Sequence, residues 1–465
     1  MAGRMAWGGM VSALAVLIGV VFGALLLALP KAVTLLAVAG AALALTVLWK
    51  PLWGLLLFAV LATFIPYTTV NLGFRITVSE AMLGLCWAGA GWQLMTGQRR
   101  WRLDSPERWL IGLMVFSGLP FLVGQVTVQA DGNGVVNWLR WLLNLSPLLL
   151  LPLLAQGERE RDAVAAALLL GTLAMLLLSL AYFFKDRNAN TFIPVLEKLK
   201  YAHPEAVKDI FSANYTRMAS PWVHPNLTGG ALVLFLPLAF FYAQCRQGWR
   251  RLLGASVAVL GAAGLLFSIS RGAILSLALV LLWMSWRRVP LAGRIIGLAA
   301  ALGLALVLFY PPLQERLSTM FSSSNASTEI RMDEYRMFPK AMARYPLGIG
   351  FKTEPPPPDT GLLGISNLWL NLIYKLGLPG MALFVLQTRA WWRAWRPGPS
   401  LAAMGEREAL ALGAGAGVLA ALLTGFFDHY YSFTNVLVAL FWLVMALNLQ
   451  WARDKGGATD GRKTA

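Results

Sequence analysis

The chain is dominated by a succession of apolar runs, each close to the roughly 20 residues a helix needs to cross a hydrocarbon layer. About fourteen can be marked, near 11–29, 32–48, 51–66, 77–96, 108–126, 135–155, 162–184, 226–244, 250–268, 272–286, 291–310, 365–387, 407–426 and 433–450. In lipid a backbone segment must satisfy its own hydrogen bonds, so runs of this length are viable only as helices. The expected fold is an all-α polytopic membrane protein of about 12–14 transmembrane helices, one integral domain over residues 1–465. Several runs are short, and a pair such as 32–48 with 51–66 also reads as re-entrant. The first run is not followed by a clear small-residue cleavage site and reads as a retained helix, not a signal peptide.

Composition agrees. The chain is 58% hydrophobic and 13% charged, against about 45–50% and about 25% in soluble domains. That excludes an ordinary soluble enzyme and a disordered chain. The net charge of +17 would suggest nucleic acid in a soluble protein. In a membrane protein it reports which side each loop occupies. The basic clusters at 99–108, 246–251, 287–294, 389–396 and 453–463 all fall on one side if fourteen spans are drawn. Both termini are therefore expected in the cytoplasm, and no nucleic-acid partner is expected. Two long segments, 185–225 and 311–364, then face outward as extracytoplasmic loops. The first reads as a partly helical flap over 193–211. The second holds an amphipathic helix, Glu329–Arg344, then Pro346-Leu347-Gly348-Ile349-Gly350 and the stiff Pro355–Pro358 run. Its length and aromatic content suit a lid.

Few residues offer chemistry. Cys86 and Cys245 lie in apolar runs and read as buried hydrophobes. His203, His224 and His429 are far apart, without metal-ligand spacing, and no phosphate-binding GxxxxGK[ST] loop occurs. No cofactor and no metal is expected. Ionisable groups beside apolar spans are costly and are functional candidates. Arg271, in Ser268-Ile269-Ser270-Arg271-Gly272 between two spans, suits a phosphate. Gly272 would let the backbone approach a ligand. The alternative is an interfacial arginine reaching for headgroups. Arg217 precedes Trp222-Val223-His224-Pro225-Asn226, where Pro225 fits a first helical turn and a helix N-terminus favours an anion. It reads equally as a solvated loop arginine. Arg331, Asp333, Glu334, Arg336, Lys340 and Arg344 are mostly a solvated helix face. Asp428 beside His429 suits a general base or a structural hydrogen-bond cluster. Lys375 lies inside a span, facing a polar cavity or snorkelling. Trp391, Trp392 and Trp395 read as an interfacial belt, and Gly413, Gly415 and Gly417 as close helix contacts.

Taken in order, the outer motifs resemble the O-antigen ligase/polymerase superfamily of bacterial membrane glycosyltransferases, over roughly residues 210–450. The segments are RMASPWVHPNLTGG (Arg217–Gly230), SISRGA (Ser268–Ala273), EIRMDEYRMFPKAMARYPLGIGF (Glu329–Phe351), SNLWLNLIYKLGLPG (Ser366–Gly380) and FFDHYY before the last span. The resemblance implies a GT-C-like architecture at the outer face of the inner membrane. It implies a donor saccharide on undecaprenyl pyrophosphate, a saccharide acceptor on a lipid carrier, and membrane lipids and a chain-length regulator as partners. It implies a metal-independent transfer, with outer arginines gripping the pyrophosphate. These map onto Arg217 and Arg271, with Arg331 beside them; His224, Asn226, Ser270 and Asn367 are further substrate-site candidates. Family ligases carry a histidine directly before the asparagine of the HN motif. Here Ser366 precedes Asn367, and serine is no base at neutral pH. The base then falls to His429, Asp428 or Glu334, and a polymerase of repeat units is favoured over a ligase to lipid A-core. A transporter or flippase is the reading from another class, but no internal repeat appears.

Overall fold

The computed structural model describes residues 31–71, 75–128, 133–185, 193–198, 217–219, 222, 224–309, 314, 326–352, 357, 359–398 and 402–453. The first apolar run, most of the 193–211 flap, most of 310–325, Pro355, Pro356, Pro358 and the basic tail after Arg453 lie outside the described residues.

Every other apolar run is helical. In chain order these are α1 (Lys31–Trp49), α2 (Pro51–Phe64), α3 (Val78–Met95), the pair α4 (Ser105–Phe116) and α5 (Gly118–Thr127), and the pair α6 (Gly134–Leu145) and α7 (Pro147–Leu154). There follow α8 (Glu158–Lys185), a short α9 (Ile193–Lys198), α10 (Pro225–Cys245), α11 (Gly248–Ser268), α12 (Arg271–Trp286) and α13 (Ala292–Phe309). The amphipathic α14 (Ala326–Arg344) precedes α15 (Leu368–Trp395), α16 (Glu406–Thr424), the single turn α17 (Tyr430–Phe433) and α18 (Asn435–Arg453). A two-stranded hairpin, β1 (Thr69–Asn71) and β2 (Arg75–Thr77), pairs antiparallel with Val70 opposite Ile76. It leads into α3 through a capping box, Thr77 Oγ1 accepting from Glu80 N and Glu80 from Thr77 N.

The chain is an all-α polytopic membrane protein. Among the described residues seven helices are long and apolar enough to span, or eight if α6 and α7, bent by 43°, form one span. That is fewer than the 12–14 expected. The remaining runs do form helices, but α2 and α12, with 14 and 16 residues, are too short to span alone. Burial sorts the bundle: 78–83% of the apolar window is enclosed in α10, α16 and α18, but only 33% in α4–α5. The first group is the interior, and the second faces outward. Small residues allow the close contacts: a Cβ on Gly413 would lie 2.9 Å from Pro237 O of α10, and Gly417 abuts Leu234 O. The tryptophans of α15 are not an interfacial belt. Trp391 and Trp395 are buried and stacked 5.1 Å apart, with Trp391 Nε1 donating to Asn448 Oδ1 of α18 at 2.7 Å. Only the indole N–H needs a polar partner, and α18 provides it inside the bundle.

Charged residues lock helices at one end. Asp162 of α8, buried, pairs with Arg246 at 2.7 Å and with Arg250, and Arg246 also meets Glu406. Glu107 is likewise buried against Arg453 at 2.8 Å.

The feature that sets the opposite end is a break in α15. Gly377 adopts φ 69°, ψ 178°, and Pro379 has no N–H to return to Lys375 O. The freed carbonyls are taken by the loop after α14: Ile349 N donates to Tyr374 O at 2.9 Å and Gly350 N to Lys375 O at 3.0 Å. Gly348 (φ +88°) makes the approach, where a Cβ would lie 2.5 Å from Lys375 O. On its other side the loop meets α5, with Ile349 O 2.5 Å from the Cβ position of Gly124. The P-L-G-I-G motif is thus a wedge between α5 and α15. We expect Gly348→Ala to cost about 2–4 kcal/mol, from backbone strain plus the clash. Gly97→Ala, equally left-handed at φ +71° but facing open space, should cost only about 1 kcal/mol. Thermal unfolding of the detergent-solubilised variants separates the two.

Candidate active site

The N-termini of α10, α12 and α15 meet the C-terminal ends of α11 and α16 at the end of the bundle where α14 lies. The contacts are close because glycines remove side chains between them. A Cβ on Gly229 would lie 2.5 Å from Ser270 Cβ, one on Gly230 2.7 Å from the Tyr430 ring, and one on Gly272 2.6 Å from Phe427 Cβ. Gly272 therefore serves helix contact with the 425–429 turn, not ligand approach as the sequence suggested. Tyr431 Oη donates to Gly230 O at 2.6 Å, and Leu368 N donates to Gly425 O at 2.7 Å and Asp428 O at 3.2 Å. Three helix N-termini thus gather at one place, and the partial positive charge at a helix N-terminus favours an anion.

Arg217 lies along the end of α11. Its Nε donates to Ser268 O at 2.8 Å, and Nη2 to Asn226 Oδ1 at 2.6 Å and Ile269 O at 3.4 Å. The carbonyls at a helix C-terminus carry partial negative charge and suit a guanidinium. Arg217 is thus built into the turn that carries Arg271, and is no freely solvated loop residue. The adjoining backbone is anchored too: Met218 N donates to Phe267 O at 3.0 Å, and Trp222, fully buried, donates to Thr63 O at 3.2 Å. Ile269 ends α11 at φ 51°, ψ 34°. That is a left-handed conformation unfavourable for a β-branched residue, and it turns the chain directly into α12. Ser270 is the buried N-cap, its N–H held by Ser268 Oγ at 3.3 Å. Arg271 is the first residue of α12, partly exposed.

His224 caps α10, its Nδ1 accepting from Asn226 N at 3.1 Å. Burial pushes its pKa down to about 4, and the charges of Arg217 and Arg331 add to that while Asp428 opposes it. A neutral acceptor is what the cap requires. His224, a substrate-site candidate from the sequence, commits its Nδ1 to the helix.

Asp428 is the electrostatic centre. Its Oδ1 lies 3.1 Å from His429 Nδ1 and accepts from His429 N at 2.8 Å, while Oδ2 lies 3.4 Å from Arg331 Nη2. Burial alone would raise its pKa. The bond and charge of His429, a bond from Tyr430 and the charge of Arg331 outweigh that and hold it below the usual carboxylate range. Tyr430 is pushed well above its ordinary range, by burial first and then by Asp428. It is a committed donor that sequence reading did not single out. The only sequence signal was its place in the Asp428–Tyr431 run. His429 stands edge-on to Phe433, 4.6 Å between centroids. Lys375 is buried below, with Nζ donating to Ser432 O at 3.2 Å and 5.3 Å from the Phe433 ring. It faces this cluster and does not snorkel.

Glu334, one of three candidate bases, is occupied differently. Its Oε2 accepts from Ser366 N at 2.7 Å, and Tyr335 Oη donates to Ser366 O at 3.4 Å. α14 thereby holds the residue before the α15 cap. Asn367 is that cap: Oδ1 accepts from Trp369 N and Leu370 N at 2.9 and 3.1 Å, and Nδ2 donates to Phe426 O at 3.2 Å. So Glu334 and Asn367 shape the site, while Asp428, His429 and Arg331 form one charged group. Among the described residues no three His, Cys, Asp or Glu side chains gather as a metal would require.

Residues 256–385 match the family model described as O-antigen ligase. The match runs from within α11 through about the first two thirds of α15, and so contains Ser270, Arg271, Arg331, Glu334 and Asn367. Arg217, His224, Asn226, Asp428 and His429 lie outside it. No curated protein matches the chain.

The depressed His224 value has a consequence for stability. Between the unfolded value near 6.5 and the folded value near 4 the unfolded chain binds the extra proton, so stability falls as pH drops through that window. His224→Asn keeps a capping acceptor and removes the titration. Its melting temperature should lose less than that of the parent between pH 7 and pH 4, by an amount equivalent to at most about 3 kcal/mol.

Proposed function

We propose, from the match to the O-antigen ligase family model, that the chain is a multi-pass membrane glycosyltransferase of the O-antigen ligase/polymerase superfamily. Our finer reading is a polymerase of undecaprenyl-pyrophosphate-linked repeat units at the outer face of the inner membrane, with both termini cytoplasmic. The observation that carries it is the convergence of three helix N-termini with Arg217, Arg271 and Arg331 beside the Asp428–His429 pair. In this reading Arg271, at the tip of α12, and Arg331 meet the pyrophosphate. Arg217 holds the turn that presents Arg271, and its remaining charge adds to the same field.

The chemistry needs two things: a sink for charge on the leaving group and a base for the acceptor. The acceptor hydroxyl oxygen attacks the anomeric carbon, and the bond from that carbon to the pyrophosphate oxygen breaks. The lipid pyrophosphate departs with the electron pair into the field of the arginines and helix dipoles, which gains most as negative charge develops. His429 takes the hydroxyl proton, and the anionic Asp428 on its Nδ1 side stabilises the imidazolium. Glu334 is the weaker choice of base, because Ser366 N already occupies its carboxylate. The second reading, transfer of finished polysaccharide to lipid A-core or another acceptor, is favoured by the family description as ligase. Ser366, directly before the cap of this helix where ligases carry a histidine, favours polymerisation. A chain-length regulator would then be a natural partner.

Purified protein given a lipid-linked repeat unit in detergent, without any sugar nucleotide, should yield elongated lipid-linked products. Product only when lipid A-core is added would favour the ligase; substrate unchanged under every condition would sink both. Arg271→Ala should lower the rate about 100-fold or more, beyond what any change in melting temperature explains. Arg217→Ala should lower both, because it also removes the bonds to Ser268 and Ile269. His429→Ala and Asp428→Asn should each reduce turnover by about 100-fold or more, while Glu334→Gln, which keeps an acceptor for Ser366 N, should retain most of it.

A further inference from the structure

The end of the bundle opposite this cluster holds a cavity of about 1310 Å³ that the proposed chemistry does not use. Four separated stretches build it: the link between α3 and α4, the link from α7 into α8, the start of α16 and the end of α18. All lie outside the 256–385 family match. Its lining carries Arg99, Arg100, Arg102, Arg161, Arg407 and Arg453, against two carboxylates, Asp104 and Glu158.

The arginines divide into two sets. Three are part of the wall. Arg161 donates to the carbonyls of Gly157, Gln156 and Gln450 at 3.0–3.2 Å. Arg407 pairs with Glu158 at 2.7 Å, and Arg453 with Asp104 and Glu107 at 3.1 and 2.8 Å. The other three, Arg99, Arg100 and Arg102, follow one another on the α3–α4 link, with Arg100 and Arg102 exposed. Both lining carboxylates are therefore already paired with wall arginines, while the link adds three more positive charges. A concave wall of one sign focuses field and concentrates a counter-ion. Topology explains basic loops, but not their convergence from four stretches of chain onto one hollow.

The surroundings select the kind of anion. Trp92 and Met95 at the end of α3, Trp101 on the link and Trp109 in the first turns of α4 are all exposed. Tryptophans at a helix end mark the headgroup level of a bilayer, so the hollow opens where lipid headgroups sit. We propose that this cavity is a binding site for the headgroup of an anionic phospholipid carrying two phosphates, with the Arg99–Arg102 link as its closing side. Guanidinium forks match phosphate oxygens in pairs, and a cavity this large exceeds what one phosphate needs. Bound there, the lipid would tie the link and α8 to α16 and α18.

The test uses the full chain in detergent and native mass spectrometry. The probes are a tetra-acyl diphosphatidylglycerol, a one-phosphate phosphatidylglycerol, a zwitterionic phosphatidylcholine and inorganic pyrophosphate. Wild type should retain the two-phosphate lipid in preference to the other two lipids. Arg99→Glu/Arg100→Glu/Arg102→Glu should weaken that retention about a hundredfold or more, and Arg271→Ala, at the far end, should leave it unchanged. The neutral set Arg99→Gln/Arg100→Gln/Arg102→Gln, matched to wild type in melting temperature, gives the same readout if charge reversal disturbs folding. Equal retention by wild type and the neutral set overturns the proposal, as does absence of any lipid preference. Pyrophosphate binding without lipid retention overturns the lipid as the source of the phosphates.

Discussion

The break in α15 governs the arrangement of the bundle end where α14 lies. A carbonyl left open inside an apolar bundle costs several kcal/mol, so Tyr374 O and Lys375 O, once freed around Gly377 and Pro379, must find N–H partners. Ile349 and Gly350 supply them. That fastens the loop after α14 against α15, which in turn sets where α14 begins its return along the bundle end. Glu334 and Tyr335 then hold Ser366, and Arg331 comes to Asp428. A hydrogen-bond requirement in the bundle thus fixes a charge constellation at its edge.

Within that constellation, charge is balanced locally but not erased. Asp428 is shared among His429, Arg331 and Tyr430, which keeps a buried carboxylate ionised and gives His429 an anionic neighbour. Arg217 spends donors on carbonyls of Ser268 and Ile269. It rigidifies a turn already strained at Ile269. The two ends of the molecule use arginine alike: guanidiniums brace backbone carbonyls at one and carbonyls and carboxylates at the other.

Much of the fold could be read from the chain. The apolar runs within the described residues are helices with ends close to those expected, because a run of that hydropathy has no other stable state in lipid. Gly413 and Gly417 are close contacts, as small residues at intramembrane interfaces should be. Three local readings changed. Trp391 and Trp395 are interior because Asn448 offers the indole a partner; Gly272 makes room for Phe427; and His224 is a cap whose neighbour at the second helical position, Asn226, uses its ring nitrogen. In each case the partner lies on another element or depends on local backbone geometry, and residue type alone carries no trace of it.

The sequence by itself determined that this chain is helical and membrane-bound, which stretches are apolar enough to leave water, and that a few arginines stand at helix ends where they need a reason. These are properties of single segments, set by hydropathy over roughly 20 residues. Only the tertiary structure decided what each of the three candidate bases touches. It joined Asp428 to Arg331 across 97 positions of chain and committed Glu334 to Ser366. The reason is physical: an ionised group's role depends on what lies within about 4 Å of it, and that distance is set by how helices pack, not by how far apart their residues are in sequence.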